Sequence, residues 1–191
     1  MKSFENQTLG DKQAPSIIKK LSVYLFTLFF ALSAFSQQFT VNELGDSVNK
    51  FNSSGQKEAC WEENVSGNLF MKGNYINGQK DGMWVTYFPN ETLHKIENYG
   101  NDKLNGLSLI FDNRSMVSEE NTYKNNILHG TVKKYINGRI LEDLKYKNGF
   151  QHGLQKKYYE GGQIQEESEY NNGLRHGFAK WYSINRHIVA E

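Results

Sequence analysis

The sequence predicts an all-β protein: an elongated, twisted antiparallel sheet of tandem 23–24-residue β-hairpin repeats. Three observations carry this. A tyrosine followed seven residues later by a glycine recurs five times. Each copy holds two clusters of turn-forming residues. Between those clusters lie runs of six to eight residues with no helical stripe. A fixed period of this length is the signature of a repeat architecture, in which stacking supplies the burial that one hairpin lacks.

The five copies open at "YINGQKDGMWVTYF", "YGNDKLNGLSLIFD", "YKNNILHGTVKKYI", "YKNGFQHGLQKKYY" and "YNNGLRHGFAKWYS". Their anchors are Tyr75 and Gly82, Tyr99 and Gly106, Tyr123 and Gly130, Tyr146 and Gly153, and Tyr170 and Gly177. An aromatic follows each glycine by five: Tyr87, Phe111, Tyr135, Tyr158 and Tyr182. An aliphatic residue precedes each later anchor tyrosine by six: Leu93, Val117, Ile140 and Ile164. Leu69 stands in the same relation to Tyr75, so residues 51–74 are expected to form a degenerate copy, and residues 75–191 five clear ones. Residues 37–50 show no pattern and are expected to be a flexible leader.

One turn follows each anchor tyrosine (Asn77-Gly78, Asn101-Asp102, Asn125-Asn126, Asn148-Gly149, Asn172-Gly173), built from residues that tolerate positive φ. The other follows the second aromatic. In the 23-residue copy it is Asn137-Gly138, a two-residue type I′ sequence. That loop sets Tyr135 opposite Ile140 and Lys133 opposite Glu142; across Glu160-Gly161-Gly162 the same logic sets Tyr158 opposite Ile164 and Lys156 opposite Glu166. Alternation then puts Met83, Val85 and Tyr87, with Leu107, Leu109, Phe111, Phe178 and Tyr182, on a partly enclosed face. The other face, with Ser108, Glu120, Lys134, Gln155, Lys157 and Glu167, is expected to be wet.

The N-terminus reads as a targeting segment. Lys19 and Lys20 precede 16 uncharged residues, "LSVYLFTLFFALSAFS", with small residues at Ala34 and Ser36. This describes a signal peptide over residues 1–36, cleaved near Ser36, and hence an exported protein; an uncleaved anchor is the alternative. Cleavage would remove four basic and two acidic groups and leave 18 basic against 19 acidic. So even a balance excludes a general nucleic-acid binder. The one cysteine, Cys60, allows no internal disulfide.

The pattern Y-x-N-G-x-x-x-G-x-x-x-x-Y, with intervening "NG-x-I/L-x-x-E", resembles the MORN repeat in its bacterial variant form, over about residues 65–191. The place two after the anchor glycine, glycine in the better-known eukaryotic form, holds Trp84, Ser108, Val132, Gln155 and Ala179 here. The resemblance implies stacked hairpins, no catalysis, and use as a scaffold, a dimerisation element or a membrane-proximal module. Many such proteins carry the label antitoxin component, which fits an exported chain poorly.

No residue pattern points to an active site, a cofactor or a metal. His129, His152 and His176 each precede an anchor glycine, but copies related by translation across two strands stay ~10 Å apart and do not converge on one ion. The glycine-rich turns lack GxxxxGK[ST] and a following helix. Trp84 and Trp181 fall on the polar face, and Tyr159 joins them as a hairpin aromatic. These three are candidate partner-binding residues, or, for the two tryptophans, covers for the ends of the sheet. The function expected is a non-enzymatic exported scaffold that binds another protein or itself through sheet edges. The alternatives are a cell-envelope module using exposed aromatics on a glycan or a lipid surface, and an antitoxin-like component of a toxin–antitoxin pair.

Overall fold

The computed structural model describes residues 39–191. The expected signal peptide, residues 1–36, lies outside them. The described chain is all-β. Its strands are β1 (Thr40–Val41), β2 (Ser47–Val48), β3 (Lys50–Phe51), β4 (Lys57–Val65), β5 (Asn68–Ile76), β6 (Gln79–Tyr87), β7 (Leu93–Gly100) and β8 (Lys103–Phe111). They continue with β9 (Val117–Lys124), β10 (Ile127–Ile136), β11 (Arg139–Lys147), β12 (Phe150–Gln151), β13 (Gly153–Tyr158), β14 (Ile164–Asn171), β15 (Leu174–Tyr182) and β16 (Ile188–Ala190). Strands β3 to β16 form one 14-stranded sheet in sequence order, with β12 beside β11. Every pairing is antiparallel, and β3 and β16 stand at opposite ends of the sheet. From Thr40 on, the stretch expected as a leader carries strands. Strands β1 and β2 pair with each other, and Val48 is 3 % exposed.

Each repeat is one hairpin, as the turn signals require. The aromatic–aliphatic pairs are Tyr87–Leu93, Phe111–Val117, Tyr135–Ile140, Tyr158–Ile164 and Tyr182–Ile188. Four of the loops share a three-residue form: the amide of Phe88 donates to Thr92 and that of Glu91 to Phe88, with equivalents at Asp112, Tyr159 and Ser183. This is a type I turn closed by a residue at positive φ, here Glu91, Ser115, Gly162 and Arg186.

The register differs from the expected one just beyond each aromatic pair. A one-residue β-bulge shifts the ladder there, so Lys133 faces Asp143 and Lys134 faces Glu142, rather than Lys133 facing Glu142. Likewise Lys156 faces Glu167 and Lys157 faces Glu166. The lysines do pair with the acidic return strands, one rung over. The ion pairs Lys134–Glu142 at 3.0 Å, Lys156–Glu167 at 2.8 Å and Lys157–Glu166 at 3.1 Å record it.

A second bulge explains the anchor glycine. Between each return strand and the next outgoing strand the register slips by two residues, for example from Glu97–Ser108 to Tyr99–Leu104 and from Asn121–Val132 to Tyr123–Leu128. The extra residues include the glycine, which sits opposite the next anchor tyrosine, as Gly82 opposite Tyr99 and Gly130 opposite Tyr146. At Gly130, φ is +118°, a backbone that only glycine adopts readily. In the degenerate copy Ala59 takes this place, opposite Tyr75 at φ +60°.

The faces are the main correction. Residues two beyond each glycine form a row straight across the sheet, which is the buried one: Trp61, Gly73, Trp84, Glu97, Ser108, Asn121, Val132, Leu144, Gln155, Ser168 and Ala179. Ser108 and Gln155, expected wet, are 3 % exposed, while Met83, expected on a partly enclosed face, is 58 % exposed. Glu120 and Glu167, expected beside Ser108, lie on the Met83 face, Glu120 opposite Leu109. The physical reason is that the anchor tyrosines lie on the same face as this row. A sheet one layer thick buries only what its own neighbours cover, and a short side chain between tyrosines and long charged groups is covered best.

Polar members of the row are tolerated because they are bonded. Gln155 donates to the carbonyls of Lys145 (3.0 Å) and Gly153 (3.1 Å) and accepts from the Lys145 amide (2.8 Å), filling the gap the bulge opens. Ser168 donates to Glu166 at 2.7 Å.

Candidate interaction surfaces

The anchor tyrosines act in packing. At the N-terminal end Phe51, Trp61, Tyr75 and Trp84 form a chain of edge-on aromatic contacts with centroids 5.2, 5.5 and 5.0 Å apart. Lys57 lies over Trp61 at 4.4 Å, and Lys80 over Trp84 at 4.2 Å. Burial and then the neighbouring Glu97 push the Tyr99 phenol up to about 12. Tyr99 therefore stays neutral through the physiological range.

Of the three candidate partner residues, Trp84 is corrected. It is 2 % exposed, its indole lies over Gly73, and its Nε1 donates to the Asn74 carbonyl at 3.1 Å. Its face is already used. Trp181 is half-buried on β15, with the Arg175 guanidinium 5.1 Å from its ring. Tyr159 is half-buried too; its hydroxyl donates to the Tyr182 carbonyl at 2.8 Å and ties one hairpin loop to the next. Sequence reasoning set the two tryptophans alike because it could not see that only Trp84 has a glycine beneath it.

The three histidines sit one per bulge and are not brought together. His129 Nδ1 lies 3.2 Å from the Asn148 side-chain oxygen, and His176 is exposed. Among the described residues no group of three or more His, Cys, Asp or Glu side chains is placed to hold one metal ion.

Two surfaces stand out. The first is the β15 edge. On one side β15 pairs with β14 from Asn171–Leu174 to Glu166–Trp181; on the other only Trp181 and Tyr182 meet β16. Among the described residues the backbone from Leu174 to Lys180 has no strand on that side. At the N-terminal end the edge of β4 is covered. Strand β3 pairs with Lys57 and Glu58, the Asn49 amide donates to the Cys60 carbonyl at 2.9 Å, and the Asn49 side chain accepts from the Glu62 amide at 2.7 Å.

The second is the face opposite the tyrosines, where Met83 (58 %) and Leu107 (45 %) stand exposed beside Val85, Ile96 and Leu109. Sequence reasoning grouped the outgoing-strand residues correctly and expected a partly enclosed face, of which Val85, Tyr87, Leu109 and Phe111 are half-buried while Met83, Leu107 and Phe178 stand exposed. No family model matches the chain, and no curated protein matches it.

Proposed function

We propose that the protein is a non-enzymatic, exported repeat scaffold that binds another protein, a further copy of itself included, by strand addition at the β15 edge. The observation that carries this is the contrast between the two ends of the sheet among the described residues: a covered edge at β4 and an open one along Leu174–Lys180. Open edges recruit extended segments through main-chain hydrogen bonds. The return strands that fill the equivalent place elsewhere bring Glu119, Glu120, Glu142, Asp143, Glu166 and Glu167. The open edge itself carries Arg175 and Lys180, so an acidic extended segment suits it. The Tyr-Gly hairpin pattern and its likeness to MORN variants fit a scaffold, and the leader-like residues 1–36 fit export.

Hydrogen exchange tests this. The outward-pointing amides of Leu174–Lys180, those not bonded to β14, are expected to exchange quickly in the isolated protein and to gain protection when it is mixed with its envelope fraction or concentrated. Unchanged exchange across β15 in both settings overturns the reading.

A further inference from the structure

The exposed face repeats every 24 residues, and the charges that flank its apolar centre point to what covers it. Straight across five strands, β5 to β9, the paired residues are Lys72, Val85, Ile96, Leu109 and Glu120. Outward from Ile96 the two arms match: an aliphatic residue, then a charge, the charges of opposite sign. The flanking positions repeat the match. Met83 and Tyr87 on β6 correspond to Leu107 and Phe111 on β8, and Met83 pairs with Asn98 of β7 as Leu107 pairs with Thr122 of β9.

We infer that this face is an isologous contact between two copies of the chain. A two-fold axis parallel to β7 and just above Ile96 lays Ile96 on its own counterpart, Val85 on Leu109, Met83 on Leu107 and Tyr87 on Phe111. Lys72 then meets Glu120, twice over. The same patch on both copies is self-complementary, as a two-fold contact requires. Two sheets stacked this way sit about 10 Å apart, close enough for the aliphatic side chains to interdigitate.

Within one chain the two charges cannot meet. They are four strands apart, roughly 19 Å at the usual strand spacing. Neither takes part in the ion pairs among the described residues. Lys72 is exposed and faces Glu62 of β4; Glu120 is half-buried and faces Lys133 of β10. The contact spans roughly 19 Å across the strands and about 14 Å along them, below a standard interface, so the dimer is weak and concentration-dependent. This contact stands apart from strand addition at β15, and each has its own readout.

The test is sedimentation velocity on the purified protein over a concentration series, with Lys72→Glu, Glu120→Lys and the double charge swap. The wild type is expected to dimerise reversibly. Each single swap sets two pairs of like charges face to face and is expected to raise the dimer Kd about tenfold. The double swap is expected to restore it, which no contact inside one chain explains. Met83→Glu, at an exposed position, is expected to abolish dimerisation with the circular dichroism unchanged. A wild type that stays monomeric throughout, or single swaps without effect, or a double swap that adds rather than cancels, overturns the inference. Dimers that survive every swap while the β15 amides gain protection assign association to the edge and overturn this contact alone.

Discussion

Gly73→Ala is the sharpest probe of the buried row. A Cβ at Gly73 would overlap the Trp84 ring atoms Cδ2, Cε2 and Cγ, closer than any real Cβ contact. The indole has nowhere to retreat: Tyr75 meets it edge-on at 5.0 Å, Lys80 lies 4.2 Å over it, and its Nε1 is tied to the Asn74 carbonyl. Overpacking of this kind costs about 1–3 kcal/mol. An alanine in a strand is otherwise better than glycine by roughly 0.5–1 kcal/mol. Trp84→Ala alone removes a nearly fully buried indole and is expected to cost about 3–5 kcal/mol. In that background the added methyl meets empty space, so Gly73→Ala is expected to turn from destabilising to stabilising. The coupling in a double-mutant cycle is then the overpacking term, about 1–3 kcal/mol, above the few tenths typical of independent sites. Urea unfolding followed by far-ultraviolet circular dichroism measures it. A Gly73→Ala effect that is the same with and without the indole would refute the reasoning, since it would mean the indole does not occupy the space over Gly73.

Two further outcomes follow from the geometry. Ala59 holds a left-handed backbone that costs an L-residue about 1–2 kcal/mol, so Ala59→Gly is expected to raise the urea midpoint of the N-terminal hairpin. Gly130→Ala is expected to lower stability, because its backbone at +118° is closed to alanine and the new methyl would sit 3.2 Å from Thr122 Cβ. Acid is expected to loosen β13–β15 first. Hydrogen bonds from Lys156 hold the Glu167 carboxyl below its usual range; at Glu166, bonds from Ser168 and Lys157 outweigh a burial that pushes the other way. Both folded-state values are depressed, so their stabilisation is present above the ordinary glutamate range, near 4.3, and fades as pH falls through the folded values. Urea midpoints measured from neutral pH downward should fall, and Glu167→Gln should flatten the slope.

The sequence made the hairpins legible because each carries its own local instructions: Asn-Gly turns, an aromatic facing an aliphatic, lysines facing acids. Tyr135–Ile140 and Tyr158–Ile164 are paired as expected for that reason. The faces were not legible, because which side is covered depends on the bulges at the anchor glycines. Those bulges insert two residues and leave gaps that Gln155 and its equivalents fill. Ser108 and Gln155 look like surface residues on any hydropathy scale. Only the flanking tyrosines make that row the inside. Trp84 was misplaced with them, and its burial was signalled by one feature alone, the unusual Gly73 in a strand. The place of Glu120 beside Leu109 was also hidden, since it depends on the register between neighbouring strands.

Near-identical hairpins run a risk: each fits its neighbour's neighbour almost as well, and a chain could zip together one module out of step. The transverse row guards against this. An indole needs a bare backbone below it, and a glutamine needs a broken ladder to mend, so every rung carries a tooth cut for one slot. Stepping the stack by a module would set the Trp84 indole over Glu97, which takes the place of Gly73 one repeat on and puts a side chain in the way, and the misfit would be felt at once across the whole width.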